Sequence, residues 1–157
     1  MRKRSKYRPR PVRVDTMSYV VSGLSPVLQH ESFAIDLKTK NHFALTMLTQ
    51  GNATTKDIDV LISALNITES LWRLGFGREY RNVVDAGLRA LRAVGARGLA
   101  KNKFVLRADE MSALNEAMDL HDAQLEVITV KDMEQAIAIV HQEMRHKRAT
   151  PIKELTE

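Results

Sequence analysis

The sequence predicts an all-α fold: a helical bundle of about five main helices with an extended basic N-terminal arm. Three observations support this prediction. Apolar residues recur at intervals of three and four over most of the chain after residue 36. Two Thr-x-x-Asp motifs stand directly before such periodic segments, a position typical of helix starts. Glycines interrupt the pattern at short intervals, so the connections have the lengths found in bundles.

The N-terminal arm, residues 1–16, holds the net positive charge of the chain. The formal net charge is +5, and this arm combines seven Lys and Arg with a single Asp, while the charges of the remaining residues almost cancel. Pro9 and Pro11 favour an extended backbone. An extended basic strand can follow a nucleic-acid backbone, with its cations on phosphates and its tyrosine stacked on a base. The predicted contact residues are Arg2, Lys3, Arg4, Lys6, Tyr7, Arg8, Arg10 and Arg13.

A second basic segment lies at the end of the last predicted helix. Its candidate nucleic-acid contacts are Arg145, Lys147 and Arg148, next to His141 and His146. Cations at this position also complement the helix dipole, so a purely structural role is an equal alternative. For the arm, the alternative is a solubilising or protein-docking tail.

The helical domain is predicted over residues 17–148. It opens with a short helix at 17–24 and an ambiguous stretch at 27–36 that fits a strand or a loop. A helix at 37–50 follows and should end at Gly51. The inward residues expected in this helix are Leu37, Phe43, Met47 and Leu48.

The next two helices are separated by Gly75-Phe76-Gly77. The first starts at the Thr54–Asp57 capping box and has apolar residues at helical spacing: Ile58, Leu61, Ile62, Leu65 and Trp72. The second is expected over 78–96, with Gly95 and Gly98 ending it. Its inward residues should be Tyr80, Val83, Val84, Leu88, Leu91 and Val94. Gly87 costs a helix about 1 kcal/mol relative to Ala, which predicts a close helix contact there.

Two further helices complete the predicted domain, after a segment at 103–106 that fits an extended conformation. The helix at 108–128 has this stripe: Met111, Leu114, Met118, His121, Leu125 and Ile128. A second capping box, at Thr129–Asp132, opens the helix at 130–146, whose apolar residues form a coiled-coil-like seam: Val130, Met133, Ile137, Val140 and Met144. Both helices are candidates for homo-oligomer contacts. The tail, 149–157, is predicted to be flexible.

The candidate chemical sites in the body have simple structural interpretations, and no catalytic, metal or cofactor site is predicted. The acidic face of the 108–128 helix (Asp109, Glu116, Asp119, Asp122, Glu126) fits a solvated surface, although a cation or a basic partner such as the arm could bind there. His121 lies on an apolar stripe and is expected to be a satisfied, partly buried core histidine. Glu143 and His146 form a single E-x-x-H, whereas di-iron bundles need two. No phosphate loop or nucleophile elbow is present.

Composition indicates a cytoplasmic protein. There is no cysteine, which suits a reducing compartment. No apolar run approaches the roughly 20 residues that cross a bilayer, so no membrane association is predicted.

Three stretches carry a resemblance to a known group of proteins. They are M-R-K-R-S-K-Y-R-P-R-P-V (1–12), L-W-R-L-G-F-G (71–77) and L-H-D-A-Q-L-E-V-I-T-V-K-D-M-E (120–134). In these stretches the chain resembles small accessory proteins of tailed bacteriophages and prophages. The resemblance implies an accessory protein in the cytoplasm of an infected bacterium, where such proteins bind nucleic acid, host enzymes or defence complexes. It assigns no role to any residue.

Together these observations predict a non-catalytic accessory protein that binds nucleic acid through its arm. Two alternatives stay open. One is an inhibitor or modulator of a host protein complex, with the acidic face imitating nucleic acid or the arm docking on an acidic partner. The other is a virion or assembly component whose arm reaches the packaged genome or neighbouring subunits.

Overall fold

The computed structural model describes residues 23–27 and 31–146, with side chains of the first helix described from residue 35 onward. Within this part of the chain there are five α-helices and a 3-10 turn, Arg78–Tyr80, that precedes the third helix. The helices are α1 (Glu31–Thr49), α2 (Thr55–Leu74), α3 (Arg81–Lys101), α4 (Ala108–Val127) and α5 (Val130–Arg145). The predicted all-α class and helix number are confirmed. The arm, the tail and residues 17–22 of the short predicted helix lie outside the described residues.

Helix α1 begins at Glu31, so the expectation of a strand or loop is wrong for residues 31–36. Its buried residues form one helical stripe: Asn41, Ala44, Leu45 and Leu48. Phe43, expected on or near the inward face, is 60% exposed, because it lies about 200° around the helix from Asn41. The helix ends where predicted, since Gly51 takes a left-handed φ of +72°.

Helix α2 has the predicted start and end. The backbone N–H of Thr54 donates to Asp57 Oδ2 over 2.7 Å, which is the carboxylate half of the predicted capping box. The Thr54 hydroxyl donates to the same oxygen over 2.8 Å. At the other end Gly75 adopts φ +111°, and its N–H caps carbonyls of the last turn.

Helix α3 runs past the glycines that were predicted to end it. Gly98 is buried inside the helix, and a Cβ added there would lie 2.0 Å from Phe104 Cδ1. Gly98 therefore admits the Phe104 ring instead of breaking the helix. The close helix contact predicted at Gly87 is confirmed, since a Cβ there would lie 2.5 Å from Ala117 Cβ on α4. Tyr80 was expected to point inward, but it lies in the 3-10 turn and is exposed.

Helices α4 and α5 match the predicted segments closely. Residues 103–107, between α3 and α4, belong to no helix or strand, which leaves the extended conformation expected at 103–106 a prediction. Thr129 forms the predicted box: its N–H donates to Asp132 Oδ2 over 2.9 Å, and its hydroxyl accepts from the Asp132 N–H over 3.3 Å. Met111, expected on the inward stripe of α4, lies at the surface.

The buried apolar residues form two clusters that share α2 and α4. The larger cluster fills the space between α1, α2, α3 and α4 and includes Leu48, Leu65, Leu91 and Met118. The smaller one joins α5 to the C-terminal ends of α2 and α4. The segment 23–27 completes this second cluster through Val27, whose N–H donates to the Ile128 carbonyl over 3.1 Å, and Pro26 forms an isolated antiparallel bridge with Thr129. None of the helices in the described residues is long and apolar enough to cross a membrane.

Candidate nucleic-acid interface

The structure describes one of the predicted nucleic-acid contacts. Arg145 ends α5 and is exposed, and it forms no ion pair with any residue that the structure describes. The other predicted contacts, Lys147, Arg148 and the arm residues Arg2 to Arg13, lie outside the described ranges. The arm therefore stays a prediction.

The described residues that come next along the chain to each basic segment lie at different places on the body. Gly23 packs against the first turn of α5, where a Cβ on Gly23 would lie 3.8 Å from Lys131 Cβ. Arg145 is at the other end of the same helix. Because a helix rises 1.5 Å per residue, Lys131 and Arg145 are separated by about 21 Å. Gly23 and Arg145 thus lie at opposite ends of α5.

Residues of α1 form ion pairs with part of the acidic face of α4. Asp122 Oδ2 lies 2.7 Å from His42 Nε2, and the Nζ of Lys38 lies 3.4 Å from Glu126 Oε1. Two of the predicted surface carboxylates thus serve to dock α1 on α4. This reduces the negative surface that could imitate nucleic acid or attract the arm, and it leaves Asp119 exposed without an ion pair among the described residues.

His121 is the centre of a buried hydrogen-bond chain. It is fully buried, with Nδ1 2.9 Å from the Thr68 hydroxyl and Nε2 3.3 Å from Asn41 Nδ2. The Thr68 hydroxyl donates to the Ala64 carbonyl, so Nδ1 of His121 must carry the proton and Nε2 must accept from Asn41. Burial lowers the pKa of His121 to about 4, although the nearby Asp122 opposes this shift. The expected satisfied core histidine is confirmed, and it is more buried than predicted.

Gln124 extends this polar chain by one helical turn. Its Nε2 donates to the carbonyls of Thr68 (3.2 Å) and Phe76 (3.0 Å), so it ties α4 to both α2 and the loop that follows. Asn41, Thr68 and Gln124 were not singled out from the sequence. The available signal was a polar residue on an otherwise apolar helical stripe, which is typical of buried polar contacts between helices.

A network of charged residues surrounds the junction of α2, α3 and α5. Arg73 pairs with Glu69 (3.2 Å) and with Glu143 of α5 (3.4 Å), while Arg81 reaches Glu69 and Asp85. A small polar hollow of about 30 Å³ opens beside this network, with Arg92 among its lining residues. Glu143, half of the E-x-x-H pair, is thus engaged with an arginine. No group of three or more potential metal-ligating side chains occurs among the residues described.

A further basic surface, missed in the sequence, lies where α3 meets α4. Lys101, Lys103 and Arg107 are exposed there. The neighbouring Arg97 is instead held by Glu110, with Nη1–Oε1 and Nη2–Oε2 distances of 2.6 and 2.5 Å. Hydrogen bonding to Glu110 raises the pKa of Arg97, and the reciprocal contact lowers the pKa of Glu110.

Comparison of the chain with protein-family models, with curated proteins and with solved structures finds no match.

Proposed function

We propose that this protein is a non-catalytic accessory protein that binds nucleic acid through its basic arm, with the helical body as the scaffold. The observation that carries the proposal is the segregation of charge, because seven Lys and Arg stand in the first thirteen residues of a chain whose formal net charge is +5. A polyanion of regular charge spacing is the natural partner of such a segment.

The arrangement of charges in the body supports this assignment. Arg73, Arg81 and Arg97 are engaged with carboxylates of the same chain, so they are poorly placed to bind phosphates. Arg145 is exposed at the end of α5. In the proposed complex the arm cations and Arg145, Lys147 and Arg148 contact phosphates, and Tyr7 stacks on a base. In the setting implied by the phage resemblance, the partner is phage or host nucleic acid in the bacterial cytoplasm.

Salt-dependent binding tests the proposal. Labelled single-stranded and double-stranded DNA are titrated with the full chain and with a chain lacking residues 1–14, over a series of salt concentrations. Each phosphate contact on duplex DNA contributes about 0.9 to the slope of log K against log salt. We expect the full chain to show a steep slope and the truncated chain to lose most of it.

Two charge-matched pairs of substitutions give the control. R2Q/K3Q removes two cations from the arm, and K40Q/K56Q removes two exposed cations from the body. The arm pair should weaken binding and reduce the salt slope, whereas the body pair should leave both nearly unchanged. Equal effects of the two pairs, or unchanged binding after truncation, would remove the arm from the mechanism.

A further inference from the structure

The junction of α3 and α4 presents three cations to solvent. Lys101 is the last residue of α3, Lys103 lies in the connection, and Arg107 directly precedes α4. All three are exposed, and none of them forms a salt bridge with a residue that the structure describes. They stand within seven consecutive residues, so they concentrate positive charge at one place on a body whose charges otherwise nearly cancel.

Burial alternates along the connection. Phe104 is buried and Leu106 is half-buried. Lys103, Val105 and Arg107 alternate with them and are exposed. Lys103 and Arg107 therefore share the solvent side, and their Cα atoms are at most about 14 Å apart, since a residue spans no more than about 3.6 Å. One strand of a DNA duplex carries a phosphate about every 3.4 Å along its axis, so both cations can contact the same strand.

The fold fixes the backbone from which these cations project. The Lys103 N–H donates to the Gly98 carbonyl over 3.0 Å, and the Val105 carbonyl accepts from Arg97 over 3.1 Å. Phe104 packs against Gly98. The connection is thus ordered before any ligand binds, which reduces the entropy lost on binding.

The neighbouring carboxylates do not cancel this positive charge. Glu110 is buried and accepts hydrogen bonds from Arg97 through both of its oxygens. Asp109 is exposed in the first turn of α4, and it offsets one of the three cations. A cation at the N-terminus of a helix opposes the macrodipole, so helix stability does not explain Arg107 at that position.

We propose that Lys101, Lys103 and Arg107, here called the junction patch, form a second nucleic-acid contact, which binds phosphates of the same nucleic acid as the arm. This inference rests on the proposed function and adds a contact on the helical body to it. Phosphate contacts set the position and orientation of a protein on nucleic acid. Because the junction patch projects from a fixed backbone, it holds the bound nucleic acid in a defined place on the body.

Salt-dependent binding of duplex DNA to the full chain is the first test. K101Q/K103Q/R107Q removes the three patch cations, and we expect it to weaken binding and to reduce the slope of log K against log salt by about 2.7, at about 0.9 per phosphate contact. K40Q/K56Q/R89Q is the matched control, since it removes two lysines and one arginine that are also exposed. The control should retain the wild-type slope. Circular dichroism and urea unfolding verify that both variants are folded.

Photo-cross-linking tests proximity directly, and the absence of cysteine from the chain allows a single label. A benzophenone attached to K103C should cross-link to labelled duplex DNA, whereas the same group on K56C should cross-link much less. Equal cross-linking from the two positions would overturn the junction patch as a specific contact.

The outcomes separate the junction patch from the arm. A patch variant that binds DNA like its control, while R2Q/K3Q weakens binding, overturns the patch and leaves the proposed function standing. A patch variant with a reduced slope, in a protein whose binding is unchanged by removal of residues 1–14, supports the patch and removes the arm. A full chain that does not bind nucleic acid overturns both. A patch variant that loses binding to polyglutamate and retains binding to DNA would assign the patch to an acidic protein and overturn the proposed contact.

Discussion

Single residues set how closely the helices of the larger cluster approach. Gly87 of α3 faces Ala117 of α4, and the space between them has no room for another methyl group. A mid-helix glycine carries a propensity cost of about 1 kcal/mol, which the close packing of the two helices must offset. This contact is the reason that the glycine stands in the middle of an otherwise well-formed helix.

Replacing Gly87 with alanine tests this contact. The added Cβ would lie 2.5 Å from Ala117 Cβ, so we expect G87A to lower the free energy of unfolding by about 1 to 3 kcal/mol despite its better helix propensity. The double variant G87A/A117G moves the methyl group to the other helix and should recover part of the loss. Urea unfolding measures both. A G87A variant as stable as the wild type would contradict the packing argument.

The buried His121 is the second residue whose environment has a measurable consequence. Its pKa falls from an ordinary 6.5 to about 4 because it is buried. The unfolded chain therefore binds a proton at this side chain at a higher pH than the folded protein does. Unfolding takes up a proton between those two values, so stability increases with pH through this window and decreases as the pH falls.

We expect the free energy of unfolding to fall by up to about 3 kcal/mol between pH 6.5 and pH 4 on account of His121. Urea unfolding at half-unit steps of pH measures this dependence. H121Q removes the titrating group and should flatten this part of the profile, even if the variant is less stable at every pH. H141Q, which replaces an exposed histidine of α5, is the control and should retain the wild-type slope. An unchanged slope in H121Q would show that the histidine is not held neutral.

At the level of helices, the junction between α3 and α4 depends on one arginine–carboxylate pair. Arg97 donates two hydrogen bonds to the carboxylate of Glu110 and a third to the Val105 carbonyl over 3.1 Å. Glu110 in turn accepts from the Arg107 N–H over 2.8 Å at the start of α4. Together these contacts hold the connection between α3 and α4 on the body, where Phe104 packs against Gly98.

E110Q keeps the shape of the side chain and removes its charge. We expect it to reduce the free energy of unfolding by about 1 to 3 kcal/mol, because a bidentate charged contact becomes a neutral one beside a partly buried arginine. The pKa of Glu110 is lowered from an ordinary 4.5, so its stabilising contribution is present above that pH and is lost as the pH falls through the folded value. The difference between wild type and E110Q should therefore shrink as the pH falls below 4.5. E116Q, an exposed position on the same helix, should behave like the wild type.

At the scale of the whole molecule, salt should act differently on nucleic-acid binding and on folding. Arm binding to nucleic acid depends on the release of counterions and should fall steeply with salt. The helical body is held mainly by its two buried apolar clusters, so its free energy of unfolding should change little over the same range. Measuring urea unfolding and DNA binding in the same salt series therefore distinguishes a loss of binding from a loss of folded protein. A loss of stability as steep as the loss of DNA binding would contradict this separation.

Much of the fold could be predicted from local pattern, and the failures have specific reasons. The capping box at Thr129 and the stop at Gly75 depend on residues within a few positions of each other, so their chemistry is visible in the sequence. Gly98 was predicted to end the helix, but it is needed for contact with Phe104, which lies in the connection after the helix and is not visible in the local pattern. Phe43 was placed inward because it is apolar, although the actual inward stripe of α1 includes the polar Asn41.

The candidate interface was predictable to a smaller extent. The exposure of Arg145 follows from its place at the end of an amphipathic helix. That residues 23–27 pack at the end of α5 opposite to Arg145 could not be predicted, because this depends on their contacts with Thr129 and Lys131. The pairing of Asp122 and Glu126 with residues of α1 could not be predicted for the same reason. Their partners, His42 and Lys38, are 80 and 88 residues away in the chain.

The sequence by itself determined the all-α class, the number of main helices and the separation of a basic N-terminal segment from a nearly neutral remainder. These features arise from residue periodicity, helix caps and charge order, all of which are local. Only the tertiary structure decided which polar residues are buried, which carboxylates of α4 are engaged, and which side of the α5 seam is covered. Burial and ion pairing depend on neighbours that are distant in sequence, and the positions of those neighbours are set by how the helices pack.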